Sequence, residues 1–193
     1  EGNFLNILQR KTLYNNLNKC FDRAGIGIAE VFLAPIALAD CVLTDTEKRM
    51  GCVLIDLGAD TTTMAVYYRN ILRHLVVIPL GGSNVTKDLT SLKMEESEAE
   101  KMKLKYACAY TEPDENGTAN EEETFTIEGD RKVNAREFNN IVEDRMYEII
   151  KNVWNQVPDE IVSKVSSGGI ILTGGGSNIK NIKQAFTHAT NVA

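Results

Sequence analysis

GCVLIDLGADTTTMAVYY, residues Gly51–Tyr68, reads as two apolar strands joined by a short polar turn. Cys52 to Ile55 are four consecutive apolar residues, which suits a strand buried on both faces. Met64 to Tyr68 resume β-favouring chemistry after the turn. Asp56, Gly58, Thr61 and Thr62 fall between the two runs, where a backbone can meet a phosphate. Gly58 permits a conformation that other residues resist. Successive turn N–H groups can then converge on an anion, and the Thr61 and Thr62 hydroxyls can add donors. Asp56 can hold the water shell of Mg²⁺, an ion that takes few carboxylates and several waters. The path from strand to strand separates this turn from P-loop and Rossmann sites, which lead from strand into helix. An ordinary hairpin turn would use the same residues, and the turn by itself does not choose between the two readings.

Size and composition narrow the field. At 193 residues, 43% apolar and 25% charged, the chain reads as soluble and globular, with one large domain or two small ones. A net charge of −6 argues against wholesale binding of nucleic acid or an acidic membrane, both of which want a basic face. Cys20, Cys41, Cys52 and Cys108 show no C-x-x-C spacing and read as buried free thiols of a reducing cytosol. His74 and His188 belong to no metal pattern and read as structural. No apolar run reaches membrane-spanning length, and no signal peptide opens the chain. The start at Glu1, without methionine, suggests a fragment.

The apolar pattern orders the elements. Asn3 to Leu8 reads as a strand. Leu13, Leu17, Cys20, Phe21 and Ala24 recur at helical spacing before Gly25, Glu30 to Ala34 is again β-like, and Ile36 to Leu43 reads as a short helix. Met64 to Tyr68 and Ile71 to Ile78 form a hairpin closed by Arg69-Asn70. Gly81-Gly82 then opens a helix capped by Ser83 or Asn84 and running to about Leu92, followed by a charged helix over about Glu95 to Tyr106. Residues 111–124, TEPDENGTANEEET, read as a solvated acidic loop, and a short β pair covers about Thr124 to Glu128 and Lys132-Val133. A long helix follows Asn134, with Phe138, Ile141, Val142, Ile149, Ile150, Val153, Trp154 and Val157 on one face. Arg145 is the only charged residue in that stripe. A helix over about Pro158 to Val165 precedes a strand, Gly169 to Leu172.

That strand delivers Gly174, Gly175, Gly176 and Ser177 into a second turn, ahead of a helix beginning near Asn178. Three consecutive glycines cost backbone entropy, so they mark a surface that something flat, such as a purine, approaches closely; a flexible turn is the plainer alternative. Between the two glycine turns lie Gly81 and Gly82 at a helix start, where unpaired N–H groups and the helix dipole attract phosphate, and the helix carrying Glu100 and Lys103. As a bare i,i+3 pair, Glu100 and Lys103 would contribute only about 0.2–0.5 kcal/mol.

Taken together, the blocks Asp56–Thr62, Leu72–Pro79, Gly81–Asp88, Ala99–Ala109 and Ile171–Ser177 resemble, in order, the actin, Hsp70 and sugar-kinase ATPase superfamily, and in detail its FtsA family. The resemblance implies an α/β fold of the actin-like, ribonuclease H-like kind. One lobe would carry a mixed five-stranded sheet (44–82 and 134–193), with a small α+β subdomain inserted at 83–133 and a remnant of the first lobe at 1–43. It also implies ATP and Mg²⁺ as ligands, with Glu100 and Lys103 at the ribose- and base-contacting positions. Self-assembly and a role as a cytoplasmic scaffold linking the division protein FtsZ to the inner face of the membrane would follow, any membrane anchor lying outside these residues. No nucleic-acid partner is expected. Arg131, Lys132 and Arg136 lie where the inserted subdomain meets the long helix and could receive the acidic FtsZ tail, or could be solvated surface charges. Two departures stand out. Ala59 and Asp60 replace glycines of the hairpin, and an Asp60 carboxylate about 5 Å from a phosphate would cost roughly 3 kcal/mol at an effective dielectric near 20. Ala34-Pro35 occupies the site of the water-orienting residue of hydrolysing relatives, so no catalytic residue is assigned and turnover is expected to be weak or absent. The 193-residue chain by itself is expected to bind ATP poorly. A pilus-assembly protein of the PilM type, or an ATP-hydrolysing chaperone or sugar-kinase relative, remains as the alternative.

Overall fold

A computed structural model of the chain describes residues 4–112, 123–158, 160–162 and 168–192. Most of the acidic loop and the second half of the helix expected over Pro158 to Val165 lie outside them. The chain divides into two compact units, Glu1–Leu43 and Thr44–Ala193.

In the first unit, α1 covers Lys11–Arg23 and α2 covers Ala34–Val42. Contrary to expectation, neither Phe4 to Leu8, the described part of the run Asn3 to Leu8, nor Glu30 to Ala34 forms a strand. A strand needs a ladder partner for its N–H and C=O groups, and neither segment has one among the described residues. Cys20 and Cys41 are exposed rather than buried: α1, which carries Cys20, buries none of its side chains, and α2, which carries Cys41, buries Ala39 instead.

The second unit begins with α3 (Asp45–Met50), whose Thr44 and Glu47 form a complete capping box. The sequence that opened the argument then becomes β1 (Cys52–Leu57) and β2 (Thr62–Tyr68), with β3 (Ile71–Ile78) completing an antiparallel meander. Arg69 and Asn70 both take positive φ at the β2–β3 turn, as the tight hairpin turn requires. After α4 (Gly82–Leu89), a 3₁₀ turn to Leu92, α5 (Glu96–Tyr106) and the ribbon β4 (Thr124–Thr126) with β5 (Lys132–Asn134), the chain enters α6 (Ala135–Trp154). It closes with β6 (Ile170–Thr173) and α7 (Ile182–Thr190).

The sheet order is β3-β2-β1-β6, with β6 parallel to β1. That makes four strands among the described residues, one fewer than expected. The remaining β-forming runs, β4 and β5, pair with each other instead. Val53, Ile55, Met64 and Val66 on one face of the sheet meet Phe138, Val142, Met146, Ile149, Ile150 and Val153 of α6 in one core. Arg145 does not enter that core. It forms a two-pronged ion pair with Asp88 of α4 (2.5 and 3.1 Å) and reaches Glu148 as well, which explains a charge within an apolar stripe.

Candidate functional site

The β1–β2 turn is welded to the start of α4. Gly58 N–H donates to Thr61 O (3.0 Å), Gly82 N–H to Gly58 O (2.9 Å) and Ser83 N–H to Ala59 O (2.8 Å). Gly81 N–H donates to Asn84 Oδ1 at 2.9 Å, so Asn84 reaches back to close the helix end. A Cβ on Gly81 would stand 2.5 Å from Ala59 O, which no side chain tolerates. The first N–H groups of α4 are therefore spent on the hairpin, and Gly81 and Gly82 do not present the free helix terminus expected of them. Thr62 also departs from expectation. It is fully buried, and its hydroxyl donates to Leu80 O at 2.8 Å. The alternation of β2 puts Thr62 on the same face as Met64 and Val66, facing the core. Ala59, Asp60 and Thr61 are exposed, and the N–H groups of Ala59 and Asp60 make no backbone hydrogen bond among the described residues.

The second glycine turn divides by role. Gly174 takes φ 84° and ψ 170°, and a Cβ there would stand 2.6 Å from Leu57 O and crowd the Asp56 carboxylate. A Cβ on Gly176 would meet Leu57 Cβ at 2.9 Å, whereas one on Gly175 would meet nothing within 4 Å. Ser177 Oγ donates to Gly174 O at 2.7 Å, holding the turn. Gly174 and Ser177 thus build the turn, and Gly175 forms its open surface. Asp56 is half-buried at the end of β1, and its carboxylate accepts no hydrogen bond from another described residue.

Helix α5 supplies the polar wall. Lys103 Nζ donates to Gly82 O (3.0 Å), Thr86 Oγ1 (2.9 Å) and Glu100 Oε2 (2.7 Å), with only 10% of its side chain exposed. Thr86 donates to Glu100 Oε2 at 2.5 Å. A hydroxyl has one proton, so that bond uses the Thr86 donor and leaves its oxygen to accept from Lys103. Partial burial works to raise the Glu100 pKa. The hydrogen bonds from Lys103 and Thr86, together with the Lys103 charge, outweigh that and hold it below its ordinary value. The stability that Glu100 contributes is accordingly present above the ordinary glutamate pKa and lost as pH falls through the lowered folded value. Urea unfolding of the parent protein and Glu100→Gln across that range should show the parent's advantage at neutral pH and its disappearance in acid.

Gly58, Gly82, Glu100, Lys103, Gly175 and Gly176, drawn from four separate segments, line one cleft of about 180 Å³. Asp56, Thr61, Thr62, Gly81, Gly174 and Ser177 stand behind or beside it. Ala59, Leu104, Ala107, Asn178 and Ile179 complete the lining and were missed by sequence reasoning. Positions 100, 103, 104 and 107 share one helical face, so the spacing carried a signal for Leu104 and Ala107. Leu104 is 77% exposed, an apolar lip on a polar-rimmed cleft. Among the described residues no group of three or more His, Cys, Asp or Glu could hold a metal unaided. A lone carboxylate such as Asp56 suits only a cation that brings waters or phosphate oxygens with it.

Arg131 is already committed. Its guanidinium donates to Lys93 O (2.7 Å) and pairs with Glu98 (3.1 Å), a carboxylate that is itself buried and accepts from Glu128 N–H. Lys132 is exposed, and Arg136 is exposed at the first turn of α6.

Residues 53–193 match the sequence profile of a family described as "Cell division protein FtsA". The Cell division protein FtsA of Porphyromonas gingivalis is 33% identical over 188 residues, covering 96% of this chain and 39% of that protein. The chain thus spans about two fifths of the length of that relative. Among solved structures, MreB 5 of Spiroplasma citri bound to AMPPNP aligns with a TM-score of 0.76 at 18% identity, over 95% of this chain and 59% of that one. An archaeal actin homolog aligns at 0.58 and 18%, over 86% and 50%. These likenesses show an actin-like fold.

Proposed function

Because the chain belongs to the FtsA family of cell-division proteins, we propose that its cleft is one wall of an ATP site in an actin-like division scaffold. The observation that carries this is the convergence of Gly58, Gly82, Glu100, Lys103, Gly175 and Gly176 on one cleft. The residues fit the ligand. Gly175 offers a floor without side chains, beside the apolar Leu104 and Ala107, which suits a purine face. Glu100, held ionised by Lys103 and Thr86, is an acceptor for sugar hydroxyls. The unspent N–H groups of Ala59 and Asp60, with the Thr61 hydroxyl, are donors for phosphate oxygens, and exposed Asp60 is free to turn to solvent. Asp56 would hold Mg²⁺ through its water shell. Bound ATP would supply a triphosphate whose charge ties the turn and the cleft together. In this reading the ligand acts as an assembly and conformational signal more than as a substrate.

The wider role in this reading is a scaffold that assembles with itself and links FtsZ to the inner face of the cell membrane from the cytoplasm. No described helix is long and apolar enough to cross a membrane. The inserted subdomain, 83–133, and the start of α6 would receive the acidic FtsZ tail at Arg131, Lys132 and Arg136, Arg131 by leaving Glu98. Titration calorimetry of the full-length protein tests the site. Gly175→Val should keep parental stability and weaken ATP binding at least about tenfold, roughly 1.4 kcal/mol. Unchanged ATP affinity in that variant would remove the cleft as the nucleotide site.

A further inference from the structure

The β1–β2 turn sets a charge problem for any phosphate bound at the cleft. Ala59 and Asp60 are its two central residues. Gly58 N–H on Thr61 O (3.0 Å) closes the turn, and its carbonyls are pinned to α4, Gly58 O by Gly82 N–H (2.9 Å) and Ala59 O by Ser83 N–H (2.8 Å). With those carbonyls committed, the N–H groups of Ala59 and Asp60 are the donors that the turn has left. Asp60 is exposed, and its carboxylate makes no ion pair with another described residue.

No cation of the cleft stands ready to neutralise it. Lys103 is the only lysine or arginine among the described residues that line the cleft, and its ammonium is held by Glu100 at 2.7 Å with 10% of the side chain exposed. That pair adds no net charge to the wall, and Asp56 and Asp60 leave the turn negative. Covalent geometry keeps Asp60 close to whatever the turn binds. An oxygen that accepts from the Asp60 N–H lies about 2.9 Å from the nitrogen. Only Cα and Cβ separate that nitrogen from the carboxylate carbon, so even with the side chain turned to solvent the two charges stay within roughly 7 Å. At an effective dielectric between about 20 and 80, a like charge at that distance lowers affinity roughly threefold to fiftyfold for each phosphate charge. A divalent cation on the phosphates cancels about two of those charges and gives the carboxylate an opposite charge to face.

Resting on the nucleotide reading above, we propose that Asp60 is a specificity-determining residue, one that makes the cleft select the divalent-cation complex of a nucleotide and reject the metal-free triphosphate. Titration calorimetry of the full-length protein, with ATP in excess MgCl₂ and with ATP in EDTA, reads this as a ratio of affinities. The parent should prefer the magnesium complex at least about a hundredfold. Asp60→Asn keeps the size and the N–H and removes the charge, so it should shrink that preference at least about tenfold through tighter binding of metal-free ATP. Asp60→Glu should keep the parental preference, which a merely structural role would not require. Urea unfolding establishes that both variants are folded. A preference that is unchanged in Asp60→Asn overturns the proposal and leaves the cleft in place as the nucleotide site. A preference that shrinks only because the magnesium complex binds more weakly also overturns it, since Asp60 would then hold the cation rather than repel the phosphates. If the parent binds ATP in neither condition, the nucleotide reading fails and this proposal with it.

Discussion

Phe138→Ala is expected to lower the unfolding free energy of the Thr44–Ala193 unit by about 3–5 kcal/mol, measured by urea denaturation. Phe138 is completely buried on α6 and is among the largest fully buried side chains. Its ring meets Phe125 of β4 edge-on (5.5 Å, 88°), and Phe125 stacks on Tyr106 of α5 (4.2 Å, 14°). Truncation removes the transfer energy of the ring and leaves a void that surrounding helices close only in part. It also removes the edge contact, worth about 0.5–1.5 kcal/mol beyond area. Tyr106 ends the helix that carries Glu100 and Lys103, so the ATP binding proposed for the full-length protein should weaken along with stability. Phe138→Leu, which keeps most of the volume, should cost clearly less. A loss below about 1 kcal/mol for the alanine variant would show that this aromatic relay does not carry the packing assigned to it.

Gly174→Ala is the second large effect, about 2–4 kcal/mol. At φ 84° and ψ 170° Gly174 occupies a backbone region essentially reserved for glycine, and another residue there costs about 1–3 kcal/mol. The added Cβ would also press on Leu57 O at 2.6 Å and on Asp56, where relief requires moving the end of β1, an overpacking cost of about 1–3 kcal/mol. Gly175→Ala, one residue on, meets nothing within 4 Å and should change stability by less than about 0.5 kcal/mol. Differential scanning calorimetry of the two variants separates the glycine that builds the turn from the one that faces the cleft. Equal losses in both would mean that the turn, not the individual position, sets the requirement.

The elements of the second unit were legible in the sequence because each carries a local cause. The apolar run Cys52 to Ile55 made a central strand, Arg69-Asn70 a tight turn, and the stripe from Phe138 to Val153 a helix with one buried face. The first unit was misread where Asn3 to Leu8 and Glu30 to Ala34 have β-like composition. Pairing is a property of a neighbour, and composition does not supply one. Glu100 and Lys103 were identified through resemblance. Leu104 and Ala107 share their helical face and were within reach of the spacing, but nothing local marks which face of a charged helix borders a cleft.

The sequence by itself determined the two glycine turns, the strand-to-strand hairpin that excludes a P-loop, the α/β order of the second unit and the family, each of which rests on motifs whose residues lie close together in the chain. Tertiary structure alone decided how the donors and side chains of the opening hairpin are used. Gly82 and Ser83 spend their N–H groups on Gly58 and Ala59, Thr62 turns inward to Leu80, and Lys103 closes on Gly82, Thr86 and Glu100. Each of those bonds joins segments that only folding brings together, and a buried donor takes the partner that packing places beside it.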